Sequence, residues 1–211
     1  TDWDATFTMT QSIIDPLFLA DASMAGFVHG EEVSMMDLLY GAVLPSGAEA
    51  TEALAIVCAG SEEAFAELMN EKAQALGLQD THFVDASGLH DENHYTTAYD
   101  LYLIFQEALK NETFRTIIHT DRYLTAYTSA AGERISVTWS TTNQYLTKEA
   151  AAPETITVVG GKTGTTLAAG SCLILLSENA EGMENITVVM KSKDKTTLYT
   201  EMTELLNKTV K

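Results

Sequence analysis

The chain has 211 residues, 45% of them hydrophobic, and a formal net charge of −18 from 12 basic and 30 acidic side chains. That length and apolar content suffice for one compact domain with a real core. So few basic residues cannot form a broad phosphate-binding face, which excludes nucleic acid as a partner; the acidity reads as solubility.

The opening Thr1-Asp2-Trp3-Asp4 carries no secretory leader and reads as the interior of something longer. Residues 1–33 read as irregular with short strand-like pieces, residues 5–9 among them. Ser34 then caps a helix, with Asp37 three positions on and Leu38-Leu39-Tyr40 following. Pro45-Ser46-Gly47 breaks it before an alanine-rich helix over 49–59. Ser61 caps a third helix with Glu62 and Glu63 in its first turn, an apolar stripe of Phe65, Leu68, Met69 and Leu76, and Gly77 at its end. Residues 81–95 form a loop, Thr97 and Asp100 start a helix through Leu109, and a short helix covers 113–119. Thereafter the pattern is strand: a hairpin over 122–128 and 134–139 around Ala131-Gly132, strands at 155–160, 171–178 and 185–191, and a closing helix over 196–208. Helices first and strands second predict an α+β fold around an antiparallel sheet, in one domain without repeats or linkers. No apolar run approaches the roughly 18 residues a membrane span needs.

Cys58 and Cys172 each sit in an apolar run, which favours two buried unpaired thiols over a disulfide and leaves the redox compartment open. Five histidines include His90 and His94 at helical spacing, but Gly88 places them in a loop, where two rings need not share a face; no metal site is expected. Gly161-Lys162-Thr163 imitates the end of a phosphate-binding P-loop, yet Ile156 stands where that motif needs glycine and strands flank it, so nucleotide binding is dropped.

Gly160-Gly161-Lys162-Thr163-Gly164-Thr165 is placed at the mouth of the apolar strand that precedes it. There a lysine offers charge and a proton relay, a threonine a hydrogen bond, and a glycine close approach of substrate backbone, the needs of an acyl-transfer site. A plain turn between strands is the alternative. Ser46 projects its hydroxyl from the corner where one helix breaks and the next begins, and with Glu49 three residues later it also suits a helix cap.

In order along the chain, several segments resemble the serine D-alanyl-D-alanine carboxypeptidases, the low-molecular-mass penicillin-binding proteins. They are Leu38 to Ala50, Gly77-Leu78-Gln79-Asp80-Thr81-His82-Phe83, Gly88-Leu89 with Tyr95-Thr96-Thr97-Ala98 and Asp100-Leu101, and Gly161-Lys162-Thr163-Gly164 with Ala169-Gly170. The resemblance covers about residues 20–208. It implies a DD-peptidase/β-lactamase-like fold, an antiparallel sheet flanked by helices with a helical subdomain. It also implies an acyl-enzyme formed on peptidoglycan stem peptides ending in D-Ala-D-Ala, β-lactam binding in the complete form, no cofactor, and a bacterial extracytoplasmic location.

By that resemblance Ser46 opens the Ser-x-Asn element and relays a proton toward the leaving amine. Lys162 supports the relay and docks the terminal carboxylate, which Thr163 also bonds. Gly164 lets substrate approach, and the Thr165 backbone N–H forms half of an oxyanion hole. Lys193, after the last strand, stands where relatives carry a basic residue for the carboxylate, with a solvated lysine as the alternative.

Two departures follow. Ala48 replaces the asparagine of Ser-x-Asn, a loss on the order of 0.5–1.5 kcal/mol. The Ser-x-x-Lys nucleophile of relatives falls before Thr1, so the expectation is a partial catalytic domain over 1–211, incomplete at the N-terminus and inactive by itself. Its gap would be filled by a cleaved N-terminal fragment or by a second copy, or closed by repacking into an altered core. Ser192-Lys193-Asp194-Lys195 fits the nucleophile pattern but follows Lys-Thr-Gly, and reads as a surface coincidence. No Glu-x-x-Leu-Asn deacylation element of a class A β-lactamase precedes Lys162. The reading from another class is a non-catalytic cell-wall-binding or regulatory module on the same fold.

Overall fold

The computed structural model describes residues 2–209. Its N-terminal part pairs helices with a four-stranded antiparallel sheet. Strand β1 (Thr6–Thr8) runs against β2 (Glu32–Ser34), β2 touches β3 (Arg122–Thr128), and β3 pairs along its length with β4 (Arg134–Ser140). Helices α1 (Gln11–Leu19), α2 (Met35–Val43), α3 (Ala48–Ala59) and α4 (Glu62–Ala75) precede the β3–β4 hairpin. Met9, Ile13, Leu17, Phe27, Leu38, Leu44, Ala50, Tyr127 and Trp139 form the core between α1–α3 and this sheet.

Helix α1 was not expected. Ile13 and Leu17 lie one turn apart and are both buried, but Pro16 sits inside the helix and masks the period in the sequence. Three caps follow their residue chemistry as predicted. The Ser34 hydroxyl accepts from the Asp37 N–H, Ser61 from the Ala64 N–H, and Thr97 from the Asp100 N–H at the head of α5 (Ala98–Ala108). Residues 81–95 form the expected loop, pinned by the paired backbones of His82 and Tyr95. The stripe on α4 is not core: Phe65, Leu68 and Met69 line a surface groove, and Leu68 is 47% exposed.

The C-terminal half is layered. Strands β5 (Ile156–Thr166), β6 (Gly170–Asn179) and β7 (Glu184–Ser192) form a separate three-stranded antiparallel sheet, so the single sheet expected is in fact two. Helix α8 (Lys195–Leu206) covers one face through Leu198, Tyr199, Met202 and Leu206, against Leu173, Leu175 and Val189. Helices α5 and α6 (Glu112–His119) cover the other through Phe105, Leu109 and Ile118, against Ile174, Leu176 and Ile186. The short α7 (Gln144–Thr147) connects β4 toward β5.

Strand β5 carries a bulge at Val159. Val158 pairs with Ser177, whereas Gly160 pairs with Leu176, so one residue is extra. The two glycines after it do not break the strand, because they are the only residues that fit. A Cβ on Gly160 would lie 2.4 Å from the Ile118 carbonyl oxygen, and one on Gly161 2.2 Å from that of Ile174. The Lys-Thr-Gly segment therefore lies within β5, not at its mouth.

Candidate active site

Ser46 sits between α2 and α3 with φ = 64°, in the left-handed region that costs a side-chain-bearing residue about 1–2 kcal/mol. It does not cap α3. Gly47 is the capping residue and no side chain caps that helix. The cap reading fails because the positive φ turns the serine side chain away from the first turn. The bend is tied on both sides: the Gly47 N–H donates to the Gly41 carbonyl at 2.9 Å, and the Leu44 carbonyl accepts from the Thr142 N–H at 3.2 Å.

Lys162 comes from β5. Its partner across the ladder is Ile174, on the face toward α5 and α6, and its Nζ donates to the Ser46 Oγ at 2.5 Å and to the Thr163 carbonyl at 2.7 Å. The two residues are 116 positions apart in sequence. Burial pushes the Lys162 ammonium down to about 8. Among the described residues no carboxylate contacts it, so the neutral amine is within easy reach near neutral pH.

Thr163 is paired with Leu173 on β6, and its hydroxyl shares a 2.6 Å hydrogen bond with that of Thr142. Thr142 was not foreseen. It lies just after β4, and Tyr199 on α8 reaches its carbonyl while accepting from the Gln144 N–H at 2.8 Å. The only trace in sequence is the hydroxyl-rich run Ser140-Thr141-Thr142-Asn143 at a strand exit. Gly164 and Thr165 are exposed on the outer end of β5, which pairs with β6 alone and so offers an open edge. Lys162, Ser46, Thr163 and Thr142 are thus assembled, with Gly164 and Thr165 next along the same strand.

Lys193 follows β7 and is exposed, with no hydrogen bond or ion pair to the cluster. Just before it Lys191 has φ = 59°, where β6 and β7 lose register between Ser171 and Leu173. Within Ser192-Lys193-Asp194-Lys195 the last three residues are exposed as the surface reading expects, whereas Ser192 is buried, 3% exposed, which corrects that reading for the serine alone. The cysteines are unpaired as expected but not buried, since Cys58 is exposed on α3 and Cys172 half-buried opposite Gly164. His94 lies 3.3 Å from Asp85, a pairing within the 81–95 loop, and no metal-ligating group of three gathers among the described residues. Among those residues no helix is long and apolar enough to cross a membrane.

A lysine amine held against a serine hydroxyl, beside a threonine hydroxyl on an open strand edge, can pass a proton and seat an anionic group. The family model described as D-alanyl-D-alanine carboxypeptidase matches residues 3–194. The D-alanyl-D-alanine carboxypeptidase of Streptomyces sp. strain K15 is 31% identical over 211 residues, 97% of this chain and 70% of that protein. The Escherichia coli K12 carboxypeptidase DacC is 32% identical over 177 residues, 84% of this chain but 41% of its own length. The crystal structure of the Streptomyces K15 DD-transpeptidase superposes with a TM-score of 0.90 at 30% identity, covering 98% of this chain and 79% of that one.

Proposed function

The chain belongs to the D-alanyl-D-alanine carboxypeptidase family of peptidases, and from that premise we propose that residues 1–211 supply most of one catalytic domain for serine acyl transfer on peptidoglycan stem peptides ending in D-Ala-D-Ala. The observation that carries this reading is the Lys162 Nζ held 2.5 Å from the Ser46 Oγ, with burial depressing the amine to about 8. An amine poised there exchanges a proton with the hydroxyl at little cost near neutral pH.

The reaction proceeds in two stages. A serine hydroxyl attacks the carbonyl carbon of the D-Ala-D-Ala amide and loses its proton, the C–N bond breaks, and an ester to the enzyme remains. Ser46 and Lys162 hand a proton to the departing amine. Water then cleaves the ester. The Thr163 hydroxyl, oriented by Thr142, donates a hydrogen bond to the substrate's terminal carboxylate, with Lys162 and the outlying Lys193 supplying positive charge. The Thr165 N–H stabilises the developing oxyanion, and Gly164 leaves room for the substrate backbone along the strand edge. β-Lactams, which present a strained amide beside a carboxylate, enter by the same route. The substrate places this chemistry outside the cytoplasmic membrane.

The one Ser-x-x-Lys in the sequence begins at the buried Ser192 at the exit of β7, so it does not supply the attacking hydroxyl. A fluorescent penicillin tests the whole reading. The 211-residue chain forms no covalent adduct, and the chain joined to a helix bearing Ser-x-x-Lys does. In that longer protein Lys162→Ala lowers the acylation rate by about a hundredfold or more, while its circular dichroism is unchanged. Acylation at the parent rate in Lys162→Ala removes Lys162 from the mechanism.

A further inference from the structure

Glu49 lies in the first turn of α3, three residues after Ser46, and is fully buried. Its Oε1 accepts from the Gly26 N–H at 2.8 Å and the Phe27 N–H at 3.2 Å, while Oε2 is buried with no partner among the described residues. A half-satisfied buried carboxylate is an expensive group to keep. Two features offset part of that expense. Glu49 sits at the positive end of the α3 dipole, and Gly26, at φ = 99°, turns two consecutive N–H groups onto one oxygen as a small anion nest.

What these bonds hold is the segment 23–27, and that segment is wedged against the Ser46 bend. The Ala48 N–H donates to the Ser23 carbonyl at 2.8 Å. A Cβ on Gly47 would lie 2.7 Å from the Ala25 Cβ and 2.8 Å from the Ala25 nitrogen, so Ala25 packs directly on the Gly47 backbone. The Trp139 Nε1–H also donates to the Ala25 carbonyl at 2.9 Å. The bend is thus closed by a segment that has two fastenings of its own, Glu49 and Trp139.

We propose that Glu49 is a positioning residue for the acyl-transfer site: by fastening residues 26–27 it presses Ala25 and Ser23 onto Gly47 and Ala48, and so holds Ser46 in the left-handed conformation that presents its hydroxyl to Lys162. This rests on the reading of Ser46 and Lys162 as the proton relay. The role is geometric, because burial is the cause of the depressed Lys162. Glutamine keeps an acceptor oxygen at the nest and preserves the clamp. Alanine releases residues 26–27, the bend relaxes, and water reaches the Lys162 amine.

The test is an NMR titration of the Lys162 side chain in the 211-residue chain labelled at lysine Cε, with Lys162→Arg assigning the signal. The unsubstituted chain titrates near 8, and Glu49→Gln stays with it, whereas Glu49→Ala moves toward the ordinary lysine value near 10.5. Trp139→Phe keeps the ring, loses the bond to Ala25, and moves Lys162 in the same direction by less. Leu206→Ala, a cavity in the α8 core remote from the bend, leaves Lys162 in place. The proposal is overturned if folded Glu49→Ala still titrates near 8, if Glu49→Gln moves as far as Glu49→Ala, or if Leu206→Ala moves Lys162 equally. Should Glu49→Ala not fold, Trp139→Phe decides: an unmoved Lys162 overturns the clamp. The titration needs no acylation, so failure of the clamp and failure of the penicillin reading are separate results.

Discussion

Ser46 and Lys162 are brought together by two regions that hold their residues by opposite means. Lys162 stands on an antiparallel strand with one bulge before it, its direction set by ladder pairing and by α5 and α6 behind it. Ser46 stands on an irregular bend whose backbone is unfavourable by itself and is kept by neighbours from three other segments. In the sheet half, position follows from ladder pairing along the strand, so misplacing the lysine means breaking or sliding that pairing. In the helical half, position is a local bargain between strain and clamping, so the serine can be released while the fold survives. Precision at such a seam depends chiefly on its irregular side.

The largest expected effect breaks the regular side. Gly160→Ala forces a methyl group into the Ile118 carbonyl, and either the α6–β5 contact or the strand pairing must move. A loss of about 3 kcal/mol is expected from urea unfolding; a loss within error would mean that the two elements are not packed as tightly as described.

Next comes the charge at the seam. Lys162 has a folded value near 8, below its unfolded value of 10.5, so between those pH values the unfolded chain binds more protons and stability rises with pH. Lys162→Met removes the protonated, desolvated amine and stabilises the protein by about 2 kcal/mol at pH 7. That advantage shrinks as pH passes from 8 to 10.5. An advantage independent of pH would show that burial of the amine is not its origin.

The irregular side gives a smaller effect. Ser46→Gly removes the left-handed penalty and raises stability by about 1 kcal/mol, whereas Ser46→Ala does not. Equal stabilities of the two variants would contradict the positive φ at Ser46.

The smallest effect lies outside the seam and is a control on pH arguments. Glu52 on α3 is raised to about 7, by burial first and then by Glu62 and Glu63. Above its unfolded value of 4.5 the folded chain binds the extra proton, so stability falls as pH rises through 4.5 to 7. Glu52→Gln should therefore raise stability at pH 8 by about 0.5 kcal/mol after allowing for solvent screening, seen as a higher Tm, and change it little below pH 4.5.

What the sequence disclosed follows the range of the interactions involved. Caps at Ser34, Ser61 and Thr97 depend on a side chain and a backbone three residues away, and all three were legible. So was the β3–β4 hairpin, whose strands alternate around one turn. Helix α1 was hidden because Pro16 conflicts locally with a helix that tertiary burial of Ile13 and Leu17 sustains. In the sequence the strand reads as ending at Gly160, with Lys-Thr-Gly at its mouth, because the carbonyls that demand glycine within it belong to Ile118 and, across the ladder, Ile174. The Lys-Thr-Gly motif and Ser46 could be singled out by residue type and family resemblance. Their contact, the conformation of Ser46, and Thr142 could not, since each is decided by residues distant in sequence.

The Val159 bulge has a consequence best put as parity. Val158 and Lys162 are four residues apart, an even spacing, and in an unbroken strand they would point the same way. Val158 packs into the core beneath α8, so Lys162 would join it there, an ammonium opposite Leu173 and among Leu198 and Met202. The extra residue makes an even spacing behave as an odd one, and the lysine emerges opposite Ile174, toward Ser46. Two ways of erasing the bulge then have opposite outcomes. Deleting Val159 leaves Lys162 opposite Ile174, because Gly160 already follows Val158 in the pairing order. Sliding β5 by one residue with Val159 retained sets Lys162 opposite Leu173 and sends its amine to the wrong side of the sheet. For this strand, the chemistry depends on a count of residues as much as on their kinds.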